Sequence, residues 1–253
     1  MNPEFDSLLP ELKLDRRGFI ATALGGSFAL AVQPIAAQTV IETDSAGLMA
    51  GTIEVPVADG VMKIYRAQPA KGKTFPVILV ISEIFGVHAH IADLCRRLAK
   101  SGYLAVAPDL FARQGDPAQL TSIPDIQQKI IRNVPDAQVK SDLDALVAWA
   151  DKHGGDARRV GITGFCWGGR IVWLYTNHNP AIKAGVAWYG RLRGDVTANT
   201  PRHPLDQADN MQAPVLGLYG GQDQGIPLTD VEAMNAKLKA AGSRSYIHVY
   251  PDA

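Results

Sequence analysis

Residues 161–170 read GITGFCWGGR, and the chemistry of the chain starts there. A short apolar run, Val160 to Thr163, ends in Gly164; Cys166 follows, then Gly168 and Gly169, then an apolar stretch with helical character. Gly-x-Cys-x-Gly between a strand and a helix is the pattern of a nucleophile elbow. Small residues two before and two after let strand and helix approach closely while the central side chain is lifted into a cleft. The helix N-terminus then points at the sulfur and favours thiolate. Cys166 is therefore expected to be a nucleophile. The other cysteine, Cys95, lies in IADLCRRLAKSGY, where Ile91, Leu94, Cys95 and Leu98 recur at helical spacing, and it reads as a buried helix residue.

An elbow needs a frame, and the rest of the chain supplies one. TIEVPV and GVMKIYRA alternate like two strands about the turn at Asp59-Gly60. PVILVIS, at 76–82, is a continuous apolar run of the kind covered on both faces in a parallel sheet. Strands at 103–109, 159–165, 184–190, 213–221 and 245–251 then alternate with helices near 91–100, 136–153, 168–176 and 228–242. The expected fold class is α/β, a mostly parallel sheet with helices on both faces, in which ligands bind at the carboxyl ends of strands.

Two acidic residues stand where such a site would be. Glu83 ends the apolar strand that should lie beside the elbow strand; an active carboxylate and a loop or capping glutamate both fit. Asp223 follows the strand APVLGLYGG and comes after the nucleophile in sequence, which suits an acid that orients an imidazole and also suits a plain turn aspartate. Arg113, just past a strand, is either a ligand-binding or a solvated loop arginine.

Four separate segments in order resemble the dienelactone hydrolases (carboxymethylenebutenolidases), a family of the α/β-hydrolase fold: ISEIFGV at 81–87, APDLFAR at 107–113, GFCWGG at 164–169 and YGGQDQGIP at 219–227. The resemblance runs from about residue 52 to the end. It implies that Cys166 attacks a small ester or lactone, that Glu83 contacts the resting thiol and helps generate thiolate, and that Asp223 is the triad acid. It also implies that Arg113 holds a substrate carboxylate. The backbone N–H groups of Ile84 and Trp167 are the natural oxyanion hole, and the HGGG-type loop of lipases is absent. Phe85, Trp167 and Tyr189 are candidates to line an apolar pocket, with core packing nearly as strong a reading for Tyr189 and Trp173.

The family places its histidine a few residues past a Tyr-Pro like Tyr250-Pro251, and the sequence ends at Ala253. As given, it stops before the final histidine loop and C-terminal helix, and truncation is the expected reason. None of the six histidines substitutes: His88 and His90 open a helix, His153 and His178 sit near helix ends, His203 is in a loop, and His248 alternates within a strand. The alternative function is a non-catalytic or single-turnover periplasmic small-molecule binding protein on the same fold. Neither a metal nor an organic cofactor is expected.

The N-terminus reads as targeting. Arg16-Arg17, the uncharged stretch Gly18 to Val32, and Ile35-Ala36-Ala37 form a twin-arginine export signal over 1–37, cut after Ala37. A linker over 38–50 and a hydrolase domain over 51–253 are expected to follow. The precursor's partner is then the twin-arginine export machinery, and the mature protein is periplasmic or secreted. With a formal net charge of zero and no basic stripe, nothing points to nucleic acid.

Overall fold

The computed structural model describes residues 41–253. The expected export signal, 1–37, lies outside the described residues. Among the described residues no helix is long and apolar enough to cross a membrane.

Eight strands form one sheet in the order β1-β2-β4-β3-β5-β6-β7-β8. They are β1 (Leu48–Val57), β2 (Gly60–Pro69), β3 (Phe75–Ile81), β4 (Leu104–Pro108), β5 (Gly155–Phe165), β6 (Ile182–Trp188), β7 (Val215–Gly220) and β8 (Tyr246–Tyr250). The β1–β2 and β2–β4 pairs are antiparallel; β4, β3, β5, β6, β7 and β8 run parallel. The helices are α1 (Ala89–Lys100), α2 (Ile123–Lys129), α3 (Asp136–Lys152), α4 (Trp167–Thr176) and α5 (Leu228–Ala240).

Period-two alternation divides the core between the two faces. Ile78, Val80, Ala105 and Ala107 pack with Ile91, Cys95 and Ala99 of α1. Val77, Leu79, Ile81, Leu104 and Val106 belong to the larger cluster with α3, α4 and α5, including Leu143, Leu146, Trp173, Met234 and Leu238. The runs PVILVI and LAVA are apolar throughout because both faces of these strands are covered.

Two expectations need adjustment. β1 begins at Leu48, inside the segment expected to be linker, where Leu48 pairs with Pro69. Just before it, the Thr43 N–H donates to Asp93 of α1 and Lys100 of α1 bonds Asp44 at 2.8 Å, so the ordered fold begins ahead of residue 51. The small and polar residues of DSAG carry no periodicity, which hid this extension. Helix α2 also went unread. At seven residues it is too short to show a period, although the Ser122 hydroxyl accepts from the Asp125 N–H at 3.2 Å in an ordinary N-cap.

Candidate active site

β3, β5, β6 and β7 are consecutive parallel neighbours, so the residues just past their carboxyl ends share one edge of the sheet. These are Glu83 and Ile84 after β3, Cys166 after β5, Tyr189 after β6 and Asp223 after β7. The elbow is formed as expected. Cys166 has φ 53° and ψ −114°, one of two non-glycine residues with positive φ among the described residues; the other is Tyr189, at 37°. Conformations of this kind cost roughly 1–3 kcal/mol each and persist only where the surroundings impose them. Here the Cys166 N–H donates to the Trp188 carbonyl at 3.0 Å, and the Arg170 N–H donates to the Cys166 carbonyl at 3.2 Å. The flanking glycines are demanded by contact. A Cβ on Gly164 would lie 2.5 Å from the Gly168 carbonyl oxygen, and one on Gly168 would lie 2.6 Å from that of Ser82.

Cys166 is partly buried, and burial pushes its thiol up to about 11. The Trp167 N–H bonds the sulfur and opposes that shift. The charges of Glu83 and Asp223 add to it, and the charge of Arg191 works against it. The resting group is therefore a neutral thiol. Ile84 is 3% exposed, and among the described residues its N–H meets no acceptor. Burial, followed by the charges of Glu83 and Cys166, raises the Tyr189 phenol well above its usual range, so the phenol lies within the field of both groups. Its neighbour Gly190 is pinned by the Tyr219 hydroxyl, which donates to the Gly190 carbonyl at 2.6 Å. Trp173, by contrast, is core: it is 1% exposed and donates to Tyr219 at 3.1 Å.

Glu83 is nearby, but its bonded partner is His88: Oε2 lies 3.0 Å from Nε2. Asp223 accepts from the Gly225 N–H at 2.7 Å within its own turn. The Ala253 carbonyl accepts from the adjoining Gln222 N–H at 2.7 Å, which places Ala253 beside the loop that carries Asp223. None of the six histidines bonds Asp223 or Cys166. His153 bonds the Trp149 carbonyl, His178 bonds Asp144, His203 bonds the Asp195 carbonyl, His248 meets Tyr250 edge-on, and His90 stacks on His88. Among the described residues no group of three or more His, Cys, Asp or Glu side chains is arranged to hold a metal ion.

Arg113 has partners other than the one expected of it. Its guanidinium forks onto buried Asp142 at 2.8 and 2.9 Å, and onto Asp59, with Nε at 2.8 Å. Four of its five N–H donors are engaged there. Arg113 thereby neutralises Asp142, whose carboxyl burial pushes upward. Arg191 was overlooked. It is exposed, forms no ion pair among the described residues, and is the cation whose field reaches the sulfur. Its signal in sequence was adjacency to Tyr189-Gly190 at the end of β6. Phe85 is half-buried in the loop after β3, and Trp167 meets buried Phe111 edge-on at 4.8 Å, joining the elbow to the DLFAR segment.

Residues 62–253 match the model of the dienelactone hydrolase family. The chain belongs to this family. A relative from Methylorubrum extorquens, named by inference as a carboxymethylenebutenolidase, is 59% identical over 98% of this chain and 85% of its own. One from Escherichia coli K12, named in the same way, is 49% identical over 92% of this chain and 86% of its own. A crystal structure from Klebsiella pneumoniae, titled as an inferred dienelactone hydrolase, superposes with a TM-score of 0.80 at 52% identity, covering 81% of this chain and 86% of that one. This dienelactone hydrolase family member is an ester- and lactone-type hydrolase of the α/β-hydrolase fold, acting on small molecules.

Proposed function

We propose that the hydrolase works through a cysteine nucleophile and an acyl-enzyme. The observation that carries this reading is Cys166 itself, held at φ 53° at the tip of the elbow with the Trp167 N–H on its sulfur. In this scheme Glu83 takes the thiol proton as substrate enters, and the electron pair stays on sulfur. Sγ attacks the carbonyl carbon, and the oxygen that gains the negative charge is held by the Ile84 and Trp167 N–H groups. Collapse expels the alkoxide, which takes up the proton held by Glu83 and in a lactone remains attached through the acyl chain, and leaves a thioester. Water then cleaves the thioester to thiol and a carboxylic acid, which gives up its proton to solvent; in this reading Asp223 would orient the imidazole that such a step uses. Rapid quenching of the protein with an activated ester, followed by peptide mass analysis, should show one acyl group on Cys166. Turnover with no such adduct, and with acyl found on another residue, would overturn the scheme.

For an anionic substrate, the site carries two like charges, Glu83 and Asp223, and the cation that offsets them at the sulfur is Arg191. Arg113 can serve as a carboxylate clamp only by releasing Asp59 or Asp142. Arg191→Ala is accordingly expected to raise KM for a carboxylate-bearing ester about 10-fold relative to a neutral one, a difference of about 1.4 kcal/mol. Arg113→Ala should lower the melting temperature and affect both esters equally. A selective loss of the anionic ester in Arg113→Ala would restore the clamp role to that residue.

Export rests on the Arg16-Arg17 segment. Replacing both arginines by lysine should leave the protein in the cytoplasmic fraction of the producing cell; unchanged periplasmic recovery would refute a twin-arginine route.

A further inference from the structure

Glu83 stands between an inner and an outer neighbour. Inward, its charge is felt by Cys166 and Tyr189. Outward, it meets the ring of His88 at 3.0 Å, and the side chains are 12% and 36% exposed respectively. Among the described residues His88 is the hydrogen-bond partner of this carboxylate. A nearly buried carboxylate with one bonding partner takes its direction from that partner.

The His88 ring is itself held. The residue occupies the N-cap position of α1 in extended conformation. Its N–H donates to the Gly86 carbonyl at 3.0 Å, and its carbonyl accepts from the Ala92 N–H at 3.0 Å. Its ring stacks on His90 with centroids 6.2 Å apart and planes 18° apart. Backbone and ring are thus anchored to the start of a helix rather than to a free loop.

We propose that His88 is the positioning residue for Glu83: it holds the carboxylate beside the Cys166 sulfur but off it, and it sets the net charge that the sulfur faces. The proposal rests on Cys166 as nucleophile. With neutral His88 the sulfur faces a bare carboxylate and thiolate is disfavoured. With His88 as imidazolium the pair is close to neutral, and that penalty is relieved. The groups that face His88 are Glu83 and His90; those that act on Cys166 are Glu83, Arg191 and Asp223, with Tyr189 alongside. The only bond change is the proton transfer already described, from sulfur to the Glu83 oxygen.

The test is alkylation of Cys166 by iodoacetamide, an uncharged probe of thiolate that needs no ester turnover, followed by peptide mass analysis from about pH 5.5 to pH 9. Cys95 is fully buried with its thiol pushed up to about 12, so label there is expected only on unfolding. In the unmodified protein the logarithm of the rate should climb by less than one unit per pH unit over part of this range, and by one unit at its alkaline end. His88→Gln keeps an N–H donor but cannot titrate, so its slope should be one throughout, with alkylation at least about 3-fold slower at the acid end and equal at pH 9. His88→Ala loses the donor as well and should depart from the unmodified protein at pH 9 too, a departure that glutamine rescues. His90→Gln should keep the inflection. Parallel profiles for all four proteins would overturn the proposal, as would an inflection that vanishes with His90→Gln, or equal slowing at every pH in both His88 variants. If His88→Ala fails to fold, the His88→Gln profile decides. Absence of label on Cys166 at every pH, with the protein folded, would instead count against the cysteine as nucleophile.

Discussion

Replacing Cys166 by alanine is expected to lower kcat for ester hydrolysis by about 10⁴-fold or more while leaving the fold intact. The magnitude follows from what is removed. Without the sulfur, the Ile84 and Trp167 donors and the binding surface remain, and donors alone leave only a small fraction of nucleophilic catalysis. The fold should persist because the bonds that shape the elbow are backbone bonds, Cys166 N–H to Trp188 and Arg170 N–H to the Cys166 carbonyl. Alanine at φ 53° is no more strained than cysteine. Steady-state assays paired with thermal melts check both halves. Retained turnover in Cys166→Ala with an unchanged melt would remove the cysteine from the mechanism.

The resting thiol adds a pH dependence with a definite sign. With the thiol pushed up to about 11, its charged form is the minor one at neutral pH. Forming thiolate there costs about 5 kcal/mol, so a proton acceptor must act when substrate is present. The same neutrality limits oxidation of the sulfur, because thiolate is the reactive species. Activity limited by acylation should thus rise with pH through the neutral range.

The parts of the site that were legible in sequence are the parts fixed locally. Gly164, Cys166 and Gly168 are set by the steric demands of one turn, and those demands are written in the residue types. The sheet was legible because strands covered on both faces must be apolar throughout. The partners of charged groups were not legible. Arg113 finds Asp59 and Asp142, 54 and 29 residues away, and Glu83 finds His88 at the N-cap of the next helix. Which of several carboxylates an arginine meets depends on how loops close over the sheet edge, and no spacing rule encodes that. Arg170 shows this most sharply. In sequence it is one polar residue on an apolar helix; in the fold it is a buried ion-pair member one turn past Cys166.

Arg170→Ala should therefore be the most destabilising single substitution considered. Arg170 and Asp136 are 7% and 8% exposed, and the guanidinium forks onto the carboxylate at 2.7 and 2.8 Å. The remaining donors reach the Arg202 carbonyl at 3.0 Å and His203 Nδ1 at 3.4 Å, while His203 Nε2 lies 3.0 Å from the Asp195 carbonyl. His203 is thereby fixed with Nδ1 accepting and Nε2 donating. This network ties α4 to the first residue of α3 and to the segment that follows Tyr189 and Arg191. Removing the arginine strands Asp136 in the interior, which costs about 3–5 kcal/mol. A domain of this size should then melt roughly 6–20 °C lower. Removing both charges separates burial from pairing: Arg170→Met with Asp136→Leu should recover most of the loss, because an apolar pair avoids the desolvation that the ion pair must overcome. If Arg170→Ala melts within a degree or two of the unmodified protein, the pair is not the brace that holds this segment. If it melts low and the double variant restores both the melt and hydrolysis, the network positions the site through packing. A double variant that restores the melt without restoring hydrolysis would mean that the fork itself aligns the first turn of α4 beneath Cys166.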